Sequence, residues 1–301
     1  RGGASASSYR GVDFRKPIAR YVADGYATQT TRQHDFPVFN GKYSTACYTD
    51  AVLAAVADLC ERGRVAPLQV FEGFAGVFLH RPYHQMPVAA ISAVYAWALA
   101  KSDRMAFENA CTAAGVQAED LRCELFEHPD LRSTIDDGDQ EIRPQLKAFC
   151  RWARRSKDFT AFVERCMEHG APACREFGNL YTASLPAWIA AAFDAAAKSG
   201  ADWSEREHLA VGYGSGDAAE ALRLRVCPGW ETAARRIDIA GALADRGASD
   251  LAQREYEALH DGATPEQWRG RGASDFVIES VGVGRAGPWD KTGIERYRYA
   301  G

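Results

Sequence analysis

The sequence predicts a layered α/β fold. Short apolar strands alternate with apolar or amphipathic helices, and no apolar run is long enough to span a bilayer. The 301 residues are 47% hydrophobic and 25% charged, which is enough apolar surface for a sizeable core.

Each element follows from local pattern. The opening "RGGASASSYRG" is made of small residues, so residues 1–12 are expected to be a flexible lead-in and 13–301 a single architecture without repeats. Extended, aromatic-bearing sequence runs as far as "PVFNGKYS". Val52, Leu53, Val56 and Leu59 then recur at helical spacing, and Gly63 ends that helix. A short strand ends at His80, and a very apolar helix covers Val88 to Ala100. From about Asp103 to Glu168 the chain is charge-rich and mostly helical, interrupted by "RSTIDDGDQEI". The acids of that stretch miss the EF-hand positions and read as a solvated loop. Beyond Gly178 come a loop, an alanine-rich helix from about Leu185 to Lys198, the strand "HLAVGYGSG" and the alternating strand "AEALRLRV". "DFVIESVGVG" and "TGIERYRYA" are two further strand candidates.

Composition excludes several classes of partner. The net charge is −4 and no basic block stands out, so nucleic acid is not an expected partner, nor is a membrane. Eight cysteines without a CxxC pair read as reduced thiols in the cytoplasm. Cys166, His169 and Cys174 lack a second tight pair, and Pro82 breaks the helix that His80 and His84 would need to share a zinc ion, so no metal is expected. Gly282, Gly284 and Gly287 spell GxGxxG, but Pro288 and Trp289 follow and too little chain remains for a dinucleotide fold; a hairpin connection is the better reading.

Three stretches carry chemistry. In "VFLHRPYHQM" a buried strand ends on His80 and breaks at Pro82, which holds an imidazole at a mouth. That suits a catalytic base, and it equally suits a core histidine bonded to a carbonyl. In "GNLYTAS", Asn179 offers a neutral amide donor of the kind an oxyanion needs. The glycines of "GYGSG" allow backbone to approach a ligand, while Tyr213 and Asp217 stand where a nucleophile elbow at Ser215 would need glycines.

Taken in order, these stretches resemble the hydroxymethylglutaryl-CoA synthase family of thiolase-fold condensing enzymes. "VDFRKP" is similar to the family's "YDFYKP", "GKYSTACYTDAV" to "GKLS…CY", "LHRPYH" to "FHSPYC", "NLYTAS" to "NMYT.S" and "GYGSG" to "YGSG". The "GN…AS.P" pattern also occurs in initiating ketoacyl synthases, an alternative that the first two segments disfavour. The resemblance implies a thiolase-like layered α/β/α fold, second half, with a helical insertion. It also implies condensation of an acetyl thioester with a 3-ketoacyl thioester. No cofactor is implied; the substrates are CoA or carrier-protein pantetheine thioesters, namely acetyl-CoA and a 3-ketoacyl-CoA or acyl carrier protein. By the same resemblance His80 contacts the acceptor carbonyl and assists acetyl transfer, and Asn179 helps to bind that carbonyl. Tyr181, Tyr213 and Ser215 line the acyl pocket, with Phe14 as an aromatic wall. The family's nucleophilic cysteine and its glutamate lie in a first half that this sequence lacks, so that half, in the same or a separate chain, is an expected partner, and the complete protein is expected to be a homodimer. Cys47 matches a structural cysteine of the family. Gln85 departs from a lysine that faces the CoA phosphates in animal members. A non-catalytic subunit that binds acyl thioesters or a partner chain is the remaining alternative.

Overall fold

The computed structural model describes residues 2–5, 14–15, 38–39, 41–127, 143–214, 218–244, 250–260, 276–281 and 295–299. Its strands are β1 (Gly2–Ser5), β2 (Phe14–Arg15), β3 (Val38–Phe39), β4 (Gly76–Leu79), β5 (Glu207–Gly214), β6 (Ala218–Arg225), β7 (Phe276–Val281) and β8 (Glu295–Tyr299). The longer helices of the first half are α1 (Gly41–Gly63), α3 (Met86–Ser102), α4 (Arg104–Ala114) and α5 (Ala118–Phe126), with the single turn α2 (Gln69–Glu72) between α1 and β4. They are followed by α6 (Pro144–Ala153), α7 (Lys157–Cys166), α8 (Ala171–Phe177) and α9 (Ser184–Ser199), and then by the short α10 (Trp230–Ala234), α11 (Ile239–Ala244) and α12 (Gln253–His260).

Helices dominate, and the main sheet is small and mixed, in the order β1-β6-β5-β4. β4 runs parallel to β5, while β5–β6 and β6–β1 are antiparallel. α1 covers one face and α9 packs on β4 and β5 from the other. Side-chain alternation along β5 assigns residues to these layers: His208 lies 6.0 Å from the Phe193 ring of α9, whereas Tyr213 meets Tyr48 of α1. The α1 stripe of Val52, Val56 and Leu59 is buried as its spacing requires. α3 is apolar nearly all round because it is covered nearly all round, by α1 and by α4 and α6. Where it is described, the charge-rich stretch is helical, and α4 to α7 form an insertion in the crossover from β4 to its parallel partner β5; the stretch read as a solvated loop lies outside the described residues. Asp103 caps α4 by accepting from the Ala106 amide at 2.9 Å, and Gly115 ends it in a left-handed conformation.

Two glycines are fixed by what surrounds them. A Cβ at Gly76 would lie 2.5 Å from His208 Cδ2, so the β4 backbone supplies the floor under that ring. Gly170 has φ +72°, and a Cβ there would lie 2.4 Å from the Ala192 nitrogen, so the chain entering α8 rests directly on the backbone of α9.

Three expectations are corrected. Gly2–Ser5, read as part of a flexible lead-in, is an edge strand paired with β6. The "GKYS" segment is helical rather than extended, since α1 begins at Gly41. The chain also forms two units, 1–10 with 40–246 and 11–39 with 247–301, rather than one architecture over 13–301. The second unit contains the antiparallel pairs β2–β3 and β7–β8; the GxGxxG stretch between the latter two lies outside the described residues.

Candidate functional site

The carboxyl ends of the parallel strands β4 and β5 bring His80 and Tyr213 together. His80 follows β4 directly, and its amide still donates to the Val211 carbonyl at 2.8 Å, so the residue is held to the sheet as the chain leaves it. Its own carbonyl accepts from the buried Tyr48 hydroxyl at 2.7 Å. The imidazole is half-buried with its centroid 6.1 Å from the Tyr213 ring, and Tyr213 in turn meets Tyr48 edge-on at 5.1 Å. Burial pushes His80 below the ordinary imidazole range and Tyr48 well above the ordinary phenol range. The histidine is therefore neutral at neutral pH and able to donate one hydrogen bond without bringing a charge.

Asn179 and Tyr181 sit in the turn ahead of α9. The Asn179 side-chain oxygen accepts from the Tyr181 amide at 2.8 Å, which directs the amide nitrogen away as a donor. Tyr181 takes φ +52° and its ring is 75% exposed, while its carbonyl accepts from Ser184 Oγ at 2.7 Å. The turn reaches the strand ends through Leu185, next in the chain, whose Cδ2 is 3.9 Å from the position a Cβ on Gly212 would take. His80 and Tyr213 are thus in ring contact, and Asn179 and Tyr181 are joined by one turn. Phe14 belongs to β2 in the second unit, and Ser215 lies outside the described residues.

Two arginines that pattern reading passes over lie near this end of the sheet, together with His84, which it weighs only as a zinc ligand. Arg81 is buried with its guanidinium 4.2 Å from the Trp188 ring centroid, donating to His84 Nδ1 at 2.6 Å. Arg175 of α8 approaches the same imidazole at 3.2 Å. The available signal was an arginine set immediately after a buried strand, where an unpaired charge is costly. Cys47 is buried in α1, all eight cysteines are free thiols, and no group of metal-ligating side chains occurs among the described residues. Among them, too, no helix is long and apolar enough to cross a membrane.

A hydroxymethylglutaryl-CoA synthase of Haloferax volcanii is 25% identical over 229 residues, which cover 75% of this chain and 46% of that protein. The chain therefore spans about half the length of that curated relative. Among solved structures, MvaS in complex with 3-hydroxy-3-methylglutaryl coenzyme A superposes with a TM-score of 0.59 at 17% identity, over 100% of this chain and 56% of its own. PksG, an HMG-CoA synthase from Bacillus subtilis, gives 0.53 at 15% identity, over 96% and 58%. These two establish a shared fold. Residues 22–261 match the family described as hydroxymethylglutaryl-coenzyme A synthase C terminal, and the chain belongs to that family.

Proposed function

We propose that this chain is the acceptor-binding part of a hydroxymethylglutaryl-CoA synthase-like acyltransferase, which condenses an acetyl thioester with a 3-ketoacyl thioester. The observation that carries the reading is the neutral, half-buried His80 imidazole at the carboxyl ends of a parallel strand pair, in contact with Tyr213. As an enolate adds to a ketone, negative charge grows on the ketone oxygen. A neutral N–H of His80 and the amide of Asn179 are suited to stabilise that charge by donating hydrogen bonds to the oxygen. In this reading Tyr181 and Tyr213 line the acyl pocket, while the roles of Ser215 and Phe14 rest on the family resemblance alone. The nucleophilic cysteine and the enolate-forming glutamate come from a first half outside these 301 residues, in the same or a separate chain.

In the protein carrying both halves, His80→Ala lowers condensation about a hundredfold or more while acetyl capture on the cysteine persists, because the histidine acts on the second substrate. A radiolabelled acetyl-enzyme that fails to form in the variant overturns the assignment.

A further inference from the structure

Arg81, His84 and Arg175 bring together more hydrogen-bond donors than the cluster has acceptors to receive. Arg81 is only 5% exposed. Its Nη2 donates to His84 Nδ1 at 2.6 Å and to the His84 carbonyl at 3.2 Å, whereas Nε and Nη1 are buried and unpartnered. Three of the five N–H donors of a guanidinium are thus unmade, a costly condition for a charge out of water. Arg175 comes within 3.2 Å of His84 Nε2 and 3.5 Å of Nδ1. A guanidinium can only donate, and a neutral imidazole has one accepting nitrogen. With Nδ1 taken by Arg81, the proton is on Nε2, where it faces an N–H of Arg175: donor against donor. Glu168 is felt electrostatically by Arg81 and His84, yet among the described residues neither arginine has a carboxylate partner.

We propose that Arg81, His84 and Arg175 form a carboxylate-binding site, and, resting on the acyl-thioester reading above, that the carboxylate is borne at the acyl end of the acceptor substrate. An oxyanion placed among the three would take up the unmade Arg81 donors and turn the contact between His84 Nε2–H and Arg175 into a shared acceptor. Position selects a carboxylate over a phosphate. The guanidinium is buried on the Trp188 ring one residue from His80, while a pantetheine arm holds its phosphate a full arm's length from the thioester. A substrate whose ketone meets His80, with its thioester and pantetheine arm leading away, therefore presents its acyl end to Arg81.

The test is calorimetric titration of the chain with succinyl-N-acetylcysteamine, its neutral counterpart butyryl-N-acetylcysteamine, free succinate and inorganic phosphate. The succinyl thioester is expected to bind about tenfold tighter than the butyryl one, the effect of one charge-assisted contact. Arg81→Gln should erase that preference, Arg81→Lys should restore part of it, and Arg175→Gln, which alters an exposed side chain and leaves the buried one in place, should reduce it several-fold. Equal affinity for the two thioesters overturns the carboxylate site and leaves the thioester reading standing. Arg81-dependent succinate binding with no affinity for either thioester supports the site and removes the thioester reading. Phosphate binding as tightly as succinate reassigns the ligand and overturns the proposal, as does a failure of every probe to bind.

Discussion

Gln85 stands at the N-cap of α3, exposed and next to His84, where animal members of the family carry a lysine. If this position faces the phosphates of a CoA thioester, Gln85→Lys tightens acyl-CoA binding a few-fold more than carrier-protein binding, since one exposed ion pair contributes on the order of 1 kcal/mol or less. Unchanged acyl-CoA affinity in a titration would show that the side chain points elsewhere. His208 makes a different kind of prediction. It is 1% exposed, stacked 6.0 Å from Phe78 and edge-on to Trp203 at 4.5 Å, and neither ring nitrogen has a side-chain hydrogen-bond partner. Burial holds it neutral down to about 4. The unfolded chain takes up this proton from about pH 6.5, so below that value protonation favours unfolding. The neutral histidine's share of stability is complete above pH 6.5 and is lost as the pH falls toward 4, by about 3 kcal/mol. Urea unfolding at pH 7.5 and at pH 5 should show the loss in the parent protein and a smaller one in His208→Leu; equal losses would mean that other groups carry the acid sensitivity.

At the scale of elements, the seat of α8 on α9 is the most exacting contact. Gly170→Ala must place a methyl group into the α9 backbone at a residue whose φ already disfavours a side chain, and should cost about 3 kcal/mol or more. Because Arg175 and Asn179 follow within ten residues, the variant should also weaken any ligand held by that segment; an unfolding midpoint equal to the parent's would show that the two backbones separate freely. The periodic elements were legible in sequence. α1 carries its burial in its spacing, α3 and α9 carry theirs in continuous apolar runs, and β4 to β6 in apolar runs and alternation. What was hidden depends on distant partners. The start of α1 is helical because Ser44, Cys47 and Tyr48 are buried in the fold, although its first residues are weak helix formers. β1 is built of small residues that read as flexible, and only its pairing with β6 makes it a strand. His80 and Tyr213 could be singled out from loop chemistry. The convergence of Arg81 and Arg175 could not, because they lie on segments that no local spacing relates.

For the whole molecule, the proposed division of labour has a direct consequence. The 301-residue chain by itself should release no condensation product in a thioester assay, and activity should appear when a cysteine-bearing first half is supplied. Full condensation by the chain alone would refute the placement of the nucleophile outside it. The pairing of β1 with β6 also bears on how the protein is made. Gly2 faces Ala221, and Gly76 of β4 faces His208 of β5. β5 and β6 are neighbours in sequence and can pair as soon as both exist. β4 must wait for the whole helical crossover, and β1 for a strand synthesised more than two hundred residues later. Closing so long a loop adds little to the equilibrium cost, about 0.6 kcal/mol for each doubling of its length, but it sets an order of events. During translation the sheet grows backwards, and the strand nearest the start of this sequence is held unpaired until nearly three quarters of these residues have left the ribosome.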